Sequence, residues 1–528
     1  ADFTGIEGFA ALTRLDCSGN ELTALDVAAN AALEELRCFS NYLSELTLGN
    51  LPGLVYLHCG NNLLTDLQGG QCPALEELIA NSNSLETVDV SANTALKSLN
   101  VNSNQLLNLQ TGNLAALEQL LCAGNQLQNL DVSQNPALFN LNCSRNLLPT
   151  LDLSGNAALQ KLNCSQNLLP ALDLSANAAL DSLDCGSNRL QALPLGGNPA
   201  LLMLAAASNQ LETIDLSGNG ALLFADVSAN RLQQLDISGN AALQHLNASD
   251  NELNALNTGS NPELRYLACR GNQLENLDVS ANAELQTLLA GNNQLATLQL
   301  PGSGTLLELS VPGNLLAVLD LAGATALEML NCSDNELEAL PLQDNTALKE
   351  VLCQQNLLTA LDFSAAPLLE ALNCSANALE RLNLRNGQND QLLTMNSTSN
   401  PDLLCIEVDD PENTGAEWVK DAVAEYRQNC RYAETFVPDN NFEAALAGIT
   451  GEPDNNDGYL PTAALAVLTS LDVSGREIAD LTGIEACTAL QVLNISDNLL
   501  DSIFLKDNEE LRQLLAAGNQ LTEINLQE

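Results

Sequence analysis

The chain repeats itself at one fixed, short period, and this period restricts it to a narrow range of folds. Steps of 21 from Asn20 reach Asn377 through 18 positions, and every one of them is Asn, here called the anchor. Leu lies two residues after and eight residues before each anchor, within the consensus LxxLxCxxNxLxxLDLSxNxx. A fixed period of this kind is typical of a solenoid, in which each repeat buries its apolar edge only against its neighbours.

Each half of the repeat contains a segment in which inward apolar residues alternate with other residues, which is the pattern of a β-strand. One strand per repeat, stacked on the next, predicts a long parallel sheet, and the LDLSxN half predicts a second, shorter strand on the outer side. A buried amide without partners costs about 1 to 3 kcal/mol. The anchor column is therefore expected to bond backbone groups at the turn that follows each strand. Little room is left for helix.

The units LDCSGNELTALDVAAN and LNCSQNLLPALDLSAN resemble leucine-rich repeats, and their 21-residue form with Cys resembles secreted surface proteins of Bacteroidetes-type bacteria. The segment DLTGIEACTAL resembles the capping segments of internalin-like proteins. The resemblance implies a right-handed, mostly β solenoid, with a long parallel sheet on a concave face and short strands and turns on the convex side. It also implies export, by the type IX route, to the cell surface or the medium.

Four parts are predicted along the chain. Residues 1–400 form a leucine-rich repeat solenoid with a truncated N-terminal cap, and residues 401–431 form its C-terminal cap. Residues 432–478 form the N-terminal cap of a second module, whose solenoid starts at 479–528. Ala479 to Asn498 matches Ala1 to Asn20 at 11 of 20 positions. We therefore expect a monomeric part of a longer tandem polypeptide.

Cysteine use predicts two different roles. Of 15 Cys, 11 lie three residues before an anchor, and the other seven positions of that column hold Ala or Val. This interchange favours buried, reduced thiols over disulfides or zinc ligands. Cys405 and Cys430, which lie near the two ends of the predicted cap, are predicted to form a disulfide, with two free thiols as the alternative. Similar closing segments are known in the secreted family that the repeats resemble.

The charge balance excludes several partners. The sequence has 18 Lys and Arg against 66 Asp and Glu, for a formal net charge of −48. Nucleic acids and anionic membrane surfaces would be repelled. No apolar run reaches the roughly 20 residues that a membrane span requires. We therefore expect neither nucleic-acid binding nor insertion into a membrane.

Aspartate recurs six residues after the anchor in 10 of 18 repeats, including Asp131, Asp152 and Asp173 in successive repeats. Stacked carboxylates repel one another by about 1 kcal/mol each in water. Hydrogen bonds from nearby turn NH groups would relieve this repulsion, and so would bridging Ca²⁺. No other cofactor is predicted.

Two groups of side chains on the predicted concave face are candidate ligand contacts, because aromatic residues and Arg are enriched at binding hot spots. The first group consists of Met203, Phe224, His245 and Tyr266, with Arg265 and Arg270 beside them. The second group consists of Arg37, Phe39, Tyr42, Tyr56 and His58. The alternative is that these side chains stack only to stabilise the sheet, at about 0.2 to 1 kcal/mol per pair.

No set of residues predicts catalysis. His58 and His245 are almost nine repeats apart, on the order of 40 Å along the sheet, and cannot share an active site. The sequence therefore predicts a non-catalytic, adhesin-like binding module at the cell surface, which recognises a protein or a glycan through its concave sheet. The alternative is a structural spacer of tandem solenoids, in one version stiffened by Ca²⁺.

Overall fold

The computed structural model describes residues 3–68, 72–112, 114–431, 434–453 and 456–525. The chain forms two compact units, one of residues 1–404 with 412–424 and one of residues 405–411 with 425–528. The four-part division derived from the sequence remains a prediction.

The first unit is built on one parallel sheet of 20 strands, which we call the long sheet. Neighbouring strands pair one repeat apart through most of the sheet, so that Phe224 pairs with His245 and His245 with Tyr266. Each strand has three residues. In chain order the strands are Arg14–Asp16, Glu35–Arg37, Tyr56–His58, Glu77–Ile79, Ser98–Asn100, Gln119–Leu121, Asn140–Asn142, Lys161–Asn163, Ser182–Asp184, Met203–Ala205, Phe224–Asp226, His245–Asn247, Tyr266–Ala268, Thr287–Leu289, Glu308–Ser310, Met329–Asn331, Glu350–Leu352, Ala371–Asn373, Thr394–Asn396 and Glu417–Val419.

Leucine columns form the core of this unit. In the strand Lys161–Asn163 the central Leu162 is buried, while Lys161 is exposed and Asn163 is half-buried. The Leu residues two after each anchor are all buried. Full burial of one such side chain is worth about 1.5 to 3 kcal/mol. The strand alternation predicted from the sequence thus separates a buried face of the long sheet from an exposed one.

The anchor asparagines bond successive turns together. Oδ1 of Asn167 accepts a hydrogen bond from the backbone N of Leu148 at 3.0 Å, and its Nδ2 lies 3.0 Å from Cys143 O and 3.1 Å from Cys164 O. The same pattern recurs along the column, which confirms the predicted backbone role. It also extends to Asn400, which accepts from Leu379 N at 3.0 Å. The 21-residue period does not reach Asn400, because this interval contains an additional 3₁₀ turn, Asn389–Gln391.

The other side of the first unit combines short strands and turns, as the predicted fold class requires. These strands also have three residues each, so they are not shorter than those of the long sheet. They are Ala24–Asp26, Glu45–Thr47, Asp66–Gln68, Thr87–Asp89, Asn276–Asp278, Thr297–Gln299, Ala360–Asp362 and Arg381–Asn383. A 3₁₀ turn, Ile6–Gly8, precedes the first strand of the unit.

The second unit begins with the parallel pair Cys405–Glu407 and Glu425–Arg427. Cys405 and Cys430 form a disulfide, with their Cα atoms 5.7 Å apart. The antiparallel pair Glu434–Phe436 and Tyr459–Pro461 follows. Its helices are Asn440–Thr450 and Thr462–Ala466.

The second unit also contains two small parallel sheets and a 3₁₀ turn. One sheet consists of Ser470–Asp472, Val492–Asn494 and Gln513–Leu515, and the other of Ser502–Phe504 and Glu523–Asn525, with the turn at Ile484–Ala486. Asp439 connects the first helix to these repeats: Oδ1 accepts from Asn441 N and Phe442 N, and Oδ2 from Ala479 N and Asp480 N.

Candidate ligand-binding face

Three aromatic rings on the exposed face of the long sheet form one continuous stack. The ring centroids of Phe224 and His245 lie 4.4 Å apart with an interplanar angle of 15°. Those of His245 and Tyr266 lie 4.1 Å apart at 3°. Because the three residues occupy the same position in paired strands, their rings lie side by side along the sheet. We call Met203, Phe224, His245 and Tyr266 the aromatic row.

This stacking determines which parts of the rings a ligand meets. Both faces of His245 are covered, and Phe224 and Tyr266 each have one face covered. The ring edges, which carry the positive end of the aromatic quadrupole, remain accessible from the sheet surface. Apolar groups and the faces of other aromatic rings complement such edges well.

Aliphatic side chains extend the apolar surface at one end of the row. Met203 is 51% exposed, and Leu202 and Leu223 are 39% and 37% exposed. They lie in or next to the two strands that precede His245 in the sheet. An exposed group of large apolar side chains on a chain this acidic is typical of a contact surface for another protein.

Two arginines border the row and are weakly paired. Arg265 lies 3.9 Å from Glu284, and Arg270 lies 3.9 Å from Asp250. Both arginine side chains are more than half exposed. Ion pairs of this length in solvent contribute little free energy. Both arginines therefore remain available to acidic groups of a ligand.

Burial changes the titration of the row. It lowers the pKa of His245 below its usual value, while the charge of nearby Asp226 acts in the opposite direction. Burial, followed by the charge of Glu308, raises the pKa of Tyr266. With a usual histidine pKa of about 6.5, the imidazole between the two rings is neutral at pH 7.

The second predicted group is only partly brought together. Phe39 stacks on His58 with centroids 4.2 Å apart, and the Arg37 guanidinium lies 5.1 Å from the Tyr56 ring centroid. Arg37 Nε also lies 2.5 Å from Glu35 Oε1. Tyr42 is 57% exposed and has no ring contact within the described chain.

The two predicted groups form separate sites. Tyr56 lies in the third strand of the long sheet and Met203 in the tenth. Seven steps of about 4.8 Å separate them by roughly 34 Å. A single small ligand could not contact both.

A third feature of the exposed face was missed by the sequence analysis. Asn142, Asn163 and Asp184 occupy the same position in three successive strands. They lie in a polar cavity of about 390 Å³, which we call the amide groove. Its lining residues are Asn102, Ser103, Ala123, Gly124, Asn142, Ser144, Arg145, Asn163, Ser165, Gln166 and Asp184. The sequence signal was Asn or Asp four residues before the anchor in three consecutive repeats.

The cysteine column is chemically inert. All 13 cysteines outside the disulfide are buried. Burial raises the pKa of Cys143 and Cys332 to about 12. A thiol that stays protonated at neutral pH is neither a good nucleophile nor a good metal ligand.

The carboxylates of the Asp column are used in turns. Oδ1 of Asp131, Asp152 and Asp173 accepts from the backbone N of the Ser two residues later, at 3.0, 2.9 and 2.9 Å. Backbone and side-chain hydrogen bonds from that Ser lower the pKa of Asp152 and Asp173. Among the described residues, no three His, Cys, Asp or Glu side chains are placed to hold a metal ion. This geometry supports the hydrogen-bonded explanation of the column and offers no support for Ca²⁺.

Within the described ranges, every helix is too short or too polar to cross a membrane.

No protein-family model matches the chain, and no curated protein matches it by sequence. Solved structures do match. The functional domain of InlJ from Listeria monocytogenes, described as including a cysteine ladder, is 28% identical, with 72% of this chain and 70% of that chain covered and a TM-score of 0.52. YopM from Yersinia enterocolitica is 26% identical over 79% of this chain and 91% of that chain, with a TM-score of 0.61. The plant peptide hormone receptor RGFR1, solved in complex with RGF2, is 20% identical over 97% and 83%, with a TM-score of 0.59, and shows the fold alone.

The long parallel sheet, the anchor ladder and these likenesses define a parallel β-solenoid with little helix. The chain is a leucine-rich repeat protein, as its repeat predicted. Its column of buried cysteines is a point of similarity to InlJ.

Proposed function

We propose that the chain is a non-catalytic protein-recognition module that acts outside the cell, in an adhesin-like role, and that the aromatic row is its main contact surface. The observation that carries this proposal is the ring stack, with centroid distances of 4.4 and 4.1 Å. A sugar stacks on an open ring face, and the faces inside the row are covered. Protein side chains pack well against ring edges and against the neighbouring Leu and Met side chains.

The charged side chains beside the aromatic row also favour a protein ligand. Arg265 and Arg270 place two exposed cations beside an apolar patch, an arrangement that recurs at interface hot spots. A protein segment with apolar side chains and one or two carboxylates fits this combination. The second group contributes less, because Arg37 is already paired with Glu35 at 2.5 Å.

An extracellular location is supported by the Cys405–Cys430 disulfide, because such bonds persist mainly in oxidising compartments. Release by the type IX route, an origin in Bacteroidetes-type bacteria and a place within a longer tandem polypeptide belong to the same proposal. They rest on the resemblance of the repeats and capping segments to secreted surface proteins.

The proposal is tested by immobilising the chain and screening it against an array of purified surface-protein ectodomains. The double variant Phe224→Ala/Tyr266→Ala is expected to lower the affinity for any specific partner by at least about 10-fold, which is a typical hot-spot effect. The variant protein should stay folded. The matched control is Leu307→Ala/Met329→Ala, which removes exposed apolar side chains elsewhere on the same sheet face. A structural spacer predicts instead that no array protein binds and that the double variant changes only the melting temperature.

A further inference from the structure

We propose that the amide groove is a second binding site, and that its ligand is a neutral oligosaccharide chain. This site lies on a different part of the long sheet from the aromatic row. Its existence does not depend on the protein-recognition function proposed above, and its failure would leave that function untouched.

The groove holds polar groups in fixed positions. Oδ1 of Asn142 accepts hydrogen bonds from Ser144 N at 3.1 Å and Ser144 Oγ at 2.8 Å. Asn163 is held in the same way by Ser165, at 3.0 and 2.7 Å. These bonds fix both amide planes before any ligand arrives, which reduces the entropy lost on binding.

Other hydrogen-bonding groups of the groove remain available to a ligand. Because each Asn uses Oδ1 in its turn, its Nδ2 donors have no partner within the described chain. In the next strand, Asp184 uses Oδ1 to accept from Gly186 N at 3.1 Å, which leaves Oδ2 as an acceptor. The amide groups of Asn142 and Asn163 and the carboxylate of Asp184 therefore follow one another along the sheet, about 4.8 Å apart.

This inventory matches a hydroxylated ligand better than a protein. A sugar hydroxyl both donates and accepts, so it pairs with either kind of group in the groove. The lining contains no aromatic residue and no large aliphatic residue, whereas protein partners obtain most of their affinity from such anchors. Arg145 and Asp184 balance each other, so the groove is locally neutral in a chain of net charge −48. A polyanion would be repelled by the surrounding field.

A partly exposed aromatic side chain lies near the groove. Phe139 immediately precedes the strand Asn140–Asn142 and is 36% exposed. No other ring stacks on it in the part of the chain that the structure describes, unlike the rings of the aromatic row. It lies three residues before Asn142, or about 10 Å at the strand rise, so an oligosaccharide of several units could reach both.

The test titrates the whole chain with cellohexaose, maltohexaose, hexa-N-acetylchitohexaose and β-1,4-mannohexaose in a calorimeter, with hexagalacturonate as the anionic comparison. At least one neutral hexasaccharide is expected to bind, and hexagalacturonate is not. If none of the four binds at millimolar concentration, the proposal is wrong. A protein from the array whose binding is lost in Asn163→Asp would equally overturn it, because the groove would then be part of a protein interface.

The decisive variant is Asn163→Asp. It keeps the Oδ1 acceptor for Ser165 but replaces the two Nδ2 donors, and the fold accepts Asp in this column because Asp226 makes the same bonds to Ser228 at 3.0 and 2.6 Å. Affinity for the best hexasaccharide is expected to fall at least about 10-fold, because a hydroxyl that accepts from Asn163 and donates its single proton to another group cannot also donate to the new carboxylate. The matched control is Asn331→Asp, which makes the same change outside the groove, where Asn331 bonds Ser333 at 3.2 and 2.7 Å. It should change affinity less than twofold, and equal losses in the two variants would contradict the proposal.

Discussion

The hydroxyl of Thr258 donates a hydrogen bond to Oδ1 of Asn282, which belongs to the next repeat, at 2.7 Å. Asn282 belongs to a second asparagine column, ten residues after the anchors. In most repeats of this column the amide nitrogen is well bonded: Asn156 Nδ2 lies 3.0 Å from Val132 O and 2.9 Å from Asn135 O. Its Oδ1, however, is buried and has no partner in the described chain, and Val132 stands where Thr258 would be.

The variant Val132→Thr should therefore be stabilising, although a hydroxyl introduced at a buried valine normally destabilises a protein. The new hydroxyl is nearly the same shape as the lost methyl group and has two acceptors in place: Asn156 Oδ1, as for Thr258, and Asp152 O, as for Thr111. Such a bond is worth about 1 kcal/mol. Urea denaturation measures the change in the free energy of unfolding.

The matched control for this variant is Val90→Thr, in the same column. Leu114 stands in relation to Val90 as Asn156 does to Val132, and it offers no side-chain acceptor. Its hydroxyl has only the backbone carbonyl of Gln110 as an acceptor, in the place where Thr258 bonds Asp278 O at 3.2 Å, so this variant should be less stable than Val132→Thr by about 1 kcal/mol. Equal losses in Val132→Thr and Val90→Thr would show that Asn156 Oδ1 is already satisfied in solution.

His245 should make the stability of the first unit depend on pH around and below the usual histidine value. Burial lowers its pKa in the folded state, whereas in the unfolded chain it is about 6.5. As the pH falls through this value the unfolded state takes up a proton first, so stability present above about pH 6.5 is lost on acidification.

The comparison that isolates this effect is His245→Phe, which keeps an aromatic ring between Phe224 and Tyr266. Lowering the pH also reduces the self-repulsion of the chain, so the absolute trend is not diagnostic. The quantity to measure is the difference in urea midpoint between the two proteins at each pH. The natural protein should lose stability relative to the variant on acidification, and parallel pH profiles would refute the assignment.

The Asp column should contribute to acid sensitivity at lower pH. Turn hydrogen bonds lower the pKa of Asp131, Asp152 and Asp173 in the folded state, against about 3.9 in the unfolded chain. Their contribution is therefore present above about pH 4 and is lost as the pH falls through the folded values. The triple Asp→Asn variant should show a smaller loss of stability between pH 6 and pH 3 in urea denaturation.

Asn is a suitable replacement because it already makes the same turn in this column, where Asn257 Oδ1 accepts from Gly259 N at 2.9 Å. The same experiment run with EDTA and with millimolar Ca²⁺ addresses the ion-stiffened spacer. No shift in melting temperature is expected in either case, since each carboxylate is engaged by its own turn. A rise of several degrees with Ca²⁺ that the triple variant abolishes would restore the calcium explanation.

The Cys405–Cys430 disulfide should stabilise the start of the second unit. A cross-link over a loop of this size contributes about 3 kcal/mol through the entropy of the unfolded chain. Cys405→Ser/Cys430→Ser should therefore speed amide hydrogen exchange in residues 405–411 and 425–430, with little change in the long sheet. Adding a reductant should reproduce this effect in the natural protein and do nothing to the variant. Unchanged exchange after reduction would show that packing alone holds this segment.

The contrast between the aromatic row and the amide groove shows how far sequence reasoning reached. The row could be predicted as a ligand contact because Phe224, His245 and Tyr266 are residue types that are rare in this chain and occupy one column of the repeat. The groove did not, because Asn and Ser are common throughout the repeat and their Asn-x-Ser pattern equally describes isolated turns such as Asn331–Ser333. What distinguishes Asn142 and Asn163 is that they lie in neighbouring strands and line one cavity together, and composition carries no information about that.

The fixed period of the repeat and the alternation within LxxLxCxxN determined by themselves that the chain forms a parallel solenoid, which columns are buried and which side chains are neighbours. A strand has only two faces, so a strict register assigns every position to one of them. The parallel stacking of the rings, the weak pairing of Arg265 and Arg270, and the lone Oδ1 atoms of the second asparagine column were decided only by the tertiary structure. They depend on rotamers and hydrogen bonds set by residues in neighbouring repeats. A small change in the position of a side chain can change its hydrogen-bond partner without any change in the repeat pattern of the sequence.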